Sequence, residues 1–181
     1  DDFLIVTYTP EGELFSEDGL ARLGALRDEL QGLEAVGSTN SILNVPLLHS
    51  PDLTLDTVDS EIKTLDDHDV TPDTARQALL NNPLYPNLLI SEDGRTTAIQ
   101  VNLPTPDRYF ELLRKRNDLR DKADAGEASE AELAELERVK QDFIDFTETL
   151  GVERDATIRT VRSILDTYRD GADIHLGGVP M

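Results

Sequence analysis

The 181-residue chain contains no cysteine and no tryptophan. The first absence removes disulfides, thiol catalysis, cysteine zinc sites and iron–sulfur clusters together, and it leaves the redox compartment open. Aromatic residues make up only 5% of the chain, so the core must be built mainly from Leu, Ile and Val. Positive charge is scarce. Seventeen Lys and Arg, four of them Lys, stand against thirty-seven Asp and Glu, giving a formal net charge of −20. Such a chain repels a polyphosphate backbone, so no nucleic-acid partner is expected. Long apolar runs are missing as well. The longest uncharged stretch, Ala35 to Pro51, includes Gly37, Ser38, Thr39, Asn40, Asn44 and two prolines. It cannot supply the roughly 20 apolar residues of a membrane-spanning helix. There is also no Gly-x-Ser-x-Gly elbow, no phosphate loop ending in Gly-Lys-Ser/Thr and no dinucleotide fingerprint. No catalytic residue and no cofactor site emerge from the motifs.

What remains has the makings of a folded domain, with 38% hydrophobic and 30% charged residues. Phe3 to Thr9 reads as a strand ending at the turn Pro10-Glu11-Gly12. Ser16, followed by Glu17 and Asp18, is an N-cap for a helix whose stripe is Leu20, Leu23, Leu26, Leu30 and Leu33. Val36 to Val45 looks extended and polar up to Pro46, which completes a β-α-β unit. Residues 49–73 form an acidic excursion with eight carboxylates and one Lys. Within it, Thr71-Pro72-Asp73 opens a helix that should reach about Asn81. Leu88 to Ile90, the turn Glu92-Asp93-Gly94 and Thr96 to Leu103 suggest a hairpin, with Thr97, Ile99, Val101 and Leu103 on one face.

Pro106 then takes the first position of a helix carrying Tyr109, Phe110, Leu112, Leu113 and Leu119. Ser129 and Glu132 form a capping box for a second helix with Leu133, Leu136, Val139, Phe143, Phe146 and Leu150, for which Gly151 is the expected stop. Because Arg120 to Glu130 are almost all polar, this hairpin, 106–150, should project from the body. A third helix, Glu153 to Tyr168, ends near Gly171 and leads to a last strand at Asp173 to Leu176. The expected fold is α+β: a mixed or antiparallel sheet with helices on one face, built from β-α-β units, plus the helical hairpin. One domain, 1–181, carries the acidic loop 49–73 and the hairpin 106–150 as additions.

The three histidines bear most directly on chemistry. His49 and His68 lie in the acidic loop, and His175 in the last strand. Asp66-Asp67-His68-Asp69 offers oxygen and imidazole donors, but it lacks the glycine-punctuated spacing of an EF-hand and the two-histidine helical spacing of a zinc hydrolase. A solvated loop accounts for it, and no metal ligand is assigned. His175 reads as a surface or satisfied core residue, and Gly177-Gly178 as a flexible exit from the strand.

Four segments share a further property. They are Asp2-Phe3-Leu4-Ile5-Val6, Ser41-Ile42-Leu43-Asn44-Val45-Pro46-Leu47-Leu48, the run from Asn82-Pro83-Leu84-Tyr85 through Ser91-Glu92-Asp93-Gly94 to Ala98, and Leu176-Gly177-Gly178-Val179-Pro180-Met181. In this order they resemble the first large periplasmic loop of resistance-nodulation-division exporters. The likeness is nearest to the hydrophobe and lipid exporters related to the mycobacterial large membrane proteins, and more distant to Patched-like sterol transporters. The resemblance implies a ferredoxin-like porter subdomain between the first two membrane helices of a bacterial inner-membrane protein. The missing initiating Met and signal peptide fit an excised piece of such a chain. The implied partners are the rest of the transporter chain, meaning its membrane helices and second porter domain, together with a homo-oligomer or periplasmic accessory proteins. The implied cargo is a hydrophobic small molecule or lipid. The family's proton-relay carboxylates sit in membrane helices, so no catalytic or coupling residue carries over and ligand-binding residues stay unassigned. The competing expectation is a free-standing, non-enzymatic ligand- or metal-binding α+β module that uses the acidic loop.

Overall fold

The computed structural model describes residues 2–47, 63–67 and 69–178, and the chain divides into two compact units, Asp1–Leu103 with Val161–Met181, and Pro104–Thr160. The first unit contains a four-stranded sheet, β1 (Asp2–Pro10), β2 (Ser38–Asn40), β3 (Thr97–Leu103) and β4 (Ala172–Gly177), together with α1 (Glu17–Gln31) and α2 (Pro72–Asn81). The second is made from α3 (Asp107–Asp124) and most of α4 (Glu130–Tyr168), whose last residues, from Val161, belong to the first unit.

The fold is α+β and its sheet is wholly antiparallel, in the order β2-β3-β1-β4. β1 and β2 therefore run the same way with β3 between them, and β3 and β4 run the same way with β1 between them. Each crossover skips a strand, so the two β-α-β units are split and interleaved. Along β1 the side chains alternate: Leu4, Val6 and Tyr8 are buried, whereas Phe3 is exposed and Ile5 and Thr7 are intermediate. Opposite them, Ile99, Val101, Ala172 and Ile174 are buried too, so one face of the sheet builds the core. Buried residues of α1 (Leu23, Leu26, Leu30), α2 (Ala75, Leu79) and the end of α4 (Val161, Leu165) supply its other layer. Each fully buried Leu or Ile contributes about 1.5–3 kcal/mol relative to exposure.

Local chemistry explains the element ends. Ser16 and Thr71 cap α1 and α2, accepting from Gly19 N at 3.0 Å and from Thr74 N at 3.3 Å. Ser129 and Glu132 form the reciprocal capping box: Glu132 N donates to Ser129 Oγ, and Ser129 N donates to Glu132 Oε2. α3 ends in a Schellman pair, Glu127 N to Lys122 O and Gly126 N to Ala123 O, with Gly126 at φ +73°. In this unit α3 and α4 run antiparallel. Tyr109 stacks at 5.3 Å from Phe143, Lys122 pairs with Glu132, and Lys115 pairs with Glu135. The residues of the turn, Asp124 to Glu127, are all exposed.

Four expectations are corrected. β2 is three residues long rather than spanning 36–45, because Asn44 turns the chain: its Oδ1 accepts from Ser41 N at 2.8 Å and its Nδ2 donates to Thr39 O at 2.7 Å. Leu88–Ile90 is not a strand; it touches β3 through one antiparallel bridge, Ile90 to Thr97, and β3 takes β1 and β2 as its partners. Pro106 is the N-cap, one position ahead of the helix. Finally, Gly151 does not stop a helix. It lies within α4, so the expected second and third helices are one element of 39 residues.

Candidate functional site

The face of the sheet turned away from the core is the surface with the most to offer a ligand. It carries Phe3, Ile5 and Thr7 from β1, Ala98, Gln100 and Asn102 from β3, and Asp173 and His175 from β4. Beyond Asn40, where β2 ends, Leu89 and Ile90 take over the free edge of β3. Ala98 N donates to Leu89 O at 2.9 Å, and Thr97 Oγ1 donates to the same carbonyl at 2.8 Å.

The segment ahead of this edge is held tightly. Asn82 Oδ1 accepts from Leu84 N at 2.8 Å, and the Tyr85 hydroxyl donates to Pro46 O at 2.6 Å. Burial raises the Tyr85 pKa, which keeps that donor protonated. Asn87 adopts φ +65°, a left-handed conformation Asn tolerates better than most residues. Its backbone N donates to Ile90 O at 2.8 Å and its Nδ2 to Glu92 Oε1 at 3.0 Å. The resulting turn holds Leu88 out, 71% exposed, beside a groove of about 300 Å³. Ile5, Thr7, Leu89, Ile90 and Ala98 help line it, and no lining residue is ionisable. In a chain with 30% charged residues, that marks a surface suited to an uncharged, apolar ligand.

The residues considered for metal chemistry are drawn apart. Asp66 pairs with Arg27 at 2.5 Å, Asp69 pairs with Lys63 at 2.5 Å, and Asp67 Oδ2 accepts from Thr64 N at 2.6 Å. The Lys63 hydrogen bond also lowers the Asp69 pKa. Among the described residues no group of three or more His, Asp or Glu could hold a metal ion. His49 and His68, with Asp52, Asp56, Asp59 and Glu61, lie outside the described residues. His175 is exposed and meets Asp173 at 3.1 Å. Gly177 belongs to β4 opposite Ile5, and Gly178 has a stricter role than a flexible exit. At φ +96° a Cβ there would stand 2.8 Å from Phe3 O, so only glycine fits beside β1.

Sequence reasoning missed the groove. Leu88 reads from the sequence as the start of a hairpin strand, and only the fold shows it exposed beside Ile5 and Ala98 of the sheet's outer face. Comparison with protein-family models, curated proteins and solved structures gives no match. No helix among the described residues is long and apolar enough to cross a membrane.

Proposed function

We propose that the chain is the first periplasmic porter domain of a proton-driven resistance-nodulation-division exporter, and that it forms part of the path for hydrophobic or lipid-like substrates. It performs no catalysis of its own. The observation that carries this reading is the pairing of the first and last strands. β1 and β4 are adjacent and antiparallel, with Ile5 opposite Gly177, so the chain enters and leaves the sheet at one end. A loop held between two neighbouring membrane helices must return to the side it started from, and this pairing supplies that. The strand order β2-β3-β1-β4 supports the ferredoxin-like subdomain that the resemblance implies. Two of the four resembling segments also meet through Tyr85 and Pro46, and two others through Gly178 and Phe3. The uncharged groove beside Leu88 is then a stretch of substrate wall, and the membrane helices and second porter domain of the same polypeptide are its partners.

The test uses the full-length reading frame, which should encode apolar segments of roughly 20 residues on both sides of this domain. Leu88→Asp places a charge in the groove at a position already exposed, so folding should be unaffected. Expected are efflux of a lipophilic dye reduced at unchanged protein level, and labelling of Leu88→Cys by a membrane-impermeant maleimide from the periplasmic side. Absence of flanking apolar segments, or labelling only after the inner membrane is broken, would overturn the proposal.

A further inference from the structure

A second concavity in the first unit differs from the groove in its chemistry. It is a cleft of about 520 Å³ enclosed by the β1–α1 loop, the first turns of α2 and the turn after Ile90. Leu14, Phe15 and Gly94 form its apolar part, Arg76 and Arg95 bring two guanidinium groups, and Glu11, Glu13, Asp73 and Asp93 bring four carboxylates. We infer that this cleft binds a small zwitterion, a ligand carrying an ammonium close to a carboxylate or phosphate. The inference stands independently of the exporter reading.

Three features support it. First, the opposite charges share the cleft and compensate one another only in part, the Arg95 charge acting on Asp93 without forming an ion pair. Among the described residues neither Arg76 nor Arg95 makes an ion pair, and neither do Glu11, Glu13 or Asp73. Arg27 and Lys122, by contrast, are paired, with Asp66 and Glu132. Second, the walls are fixed before any ligand arrives. Glu11 N donates to Gly171 O at 3.0 Å, and Ser16 donates to Glu13 O through both its backbone N and its Oγ. Gly19 permits the start of α1 to press on that loop, since a Cβ there would stand 2.5 Å from Glu13 O. On the far side, Ser91 Oγ accepts from Thr96 N and donates to Asp93 Oδ1, which also accepts from Arg95 N. The Ser91 hydrogen bond, followed by that from Arg95 N, lowers the Asp93 pKa, so this carboxylate stays ionised. Gly94, at φ +71°, leaves room for Arg76 to lie against the turn. A preorganised cleft need not lose further conformational freedom on binding.

Third, the balance of charge selects among ligands. Four carboxylates against two guanidinium groups repel a simple anion, while the arginines repel a simple cation from part of the cleft. A molecule with both charges meets a complementary group at each end: its carboxylate or phosphate at Arg76 and Arg95, its ammonium at the acidic side. Leu14 and Phe15 accommodate a short apolar portion between them.

The experiment follows backbone amide shifts of Gly12, Gly94 and Arg95 by NMR in the 181-residue chain. Two zwitterions, the dipeptide leucylglycine and phosphoethanolamine, are titrated beside acetate and ethylamine, which each carry half of the charge pattern. At least one zwitterion should give saturable shifts below about 20 mM, with each half-ligand at least about tenfold weaker. A response to the dipeptide alone identifies the carboxylate form and a response to phosphoethanolamine alone the phosphate form; either supports the inference. Arg76→Gln and Arg95→Gln, at exposed positions where folding is insensitive, should each weaken binding at least about tenfold. No saturation by either zwitterion, equal binding of a half-ligand, or full binding by both variants would overturn it.

Discussion

Tyr8 gives the sharpest energetic test of the core. Its side chain is 0% exposed in the second half of β1, yet its hydroxyl has no hydrogen-bond partner among the described residues. A buried polar group left unpaired costs about 1–3 kcal/mol, whereas a typical satisfied hydrogen bond contributes about 1 kcal/mol. Tyr8→Phe removes the oxygen and keeps the ring that packs between β3 and β4. The small void left behind costs only a few tenths of a kcal/mol at about 24 cal/mol per Å³. The variant should therefore be more stable, by about 1–2 kcal/mol. For a chain of this length that is a rise in melting temperature of about 2–8 °C. Urea unfolding followed by far-ultraviolet circular dichroism measures it, with an unchanged slope on denaturant showing that the end states are the same. Tyr85→Phe is the control. Its hydroxyl does donate, to Pro46 O at 2.6 Å, so its loss should cost about 1 kcal/mol.

Alkaline pH supplies a second readout at Tyr8. Burial raises its pKa above the usual value of 10.0, the Arg22 charge opposing this only in part. The folded state therefore holds the phenolic proton more tightly than the unfolded state does. That contribution is fully present below pH 10 and is lost as pH rises through the folded-state pKa, so wild type should lose stability more steeply there than Tyr8→Phe. If Tyr8→Phe is instead destabilised as much as Tyr85→Phe, the hydroxyl is satisfied and the reasoning fails.

Two further outcomes follow from the helix ends and glycines. Glu132 is held down to about 2, first by the Lys122 hydrogen bond and then by Ser129, so its contribution to the hairpin should persist above its unfolded value near 4.5 and fade as pH falls toward 2. Side-chain NMR of Glu132 checks this, and Lys122→Ala should shift the titration upward; an unchanged midpoint would contradict the assignment. Gly171→Ala and Gly151→Ala should act in opposite directions in a denaturant series. At Gly171, φ is +83° and a Cβ would stand 2.8 Å from Arg22 Nη1, whose guanidinium carries the bond to Tyr168 O, so the change should cost about 1–3 kcal/mol. At Gly151, an exposed helical position with nothing within 4 Å, it should gain about 0.5–1 kcal/mol.

Those two glycines also mark the division between what the sequence made legible and what it hid. The caps at Ser16, Thr71 and Ser129 were readable because each depends on residues three apart, and the burial of Val6, Ile99 and Val101 because a strand side is set by its own alternation. Gly151 was misread because its helix cost of about 1 kcal/mol is small beside the apolar stripe that continues from Phe143 to Val161 and Leu165. The hairpin partner of β3 does not form as a strand because pairing is a tertiary choice: β1 takes one edge of β3 along its whole length, and β2 takes part of the edge that Leu89 and Ile90 touch. The groove and the charged cleft were illegible for the same reason. Leu88 and Ile5 line one groove, and Arg76 lies against Gly94, across long stretches of chain, and no local spacing announces either encounter.

The central place of β1 has a consequence for how the chain reaches this state. Its two neighbours, β3 and β4, come from the middle and the end of the sequence, so the strand synthesised first is completed by the strand synthesised last. Contacts so distant require loop closure before they yield any stabilisation, which slows folding. Until β4 arrives, one edge of β1 with Leu4, Val6 and Tyr8 is open to any strand that passes. The sheet can therefore close only late, after the helices of Pro104–Thr160 have been made, and the dangerous interval for mispairing falls before residue 172 is available.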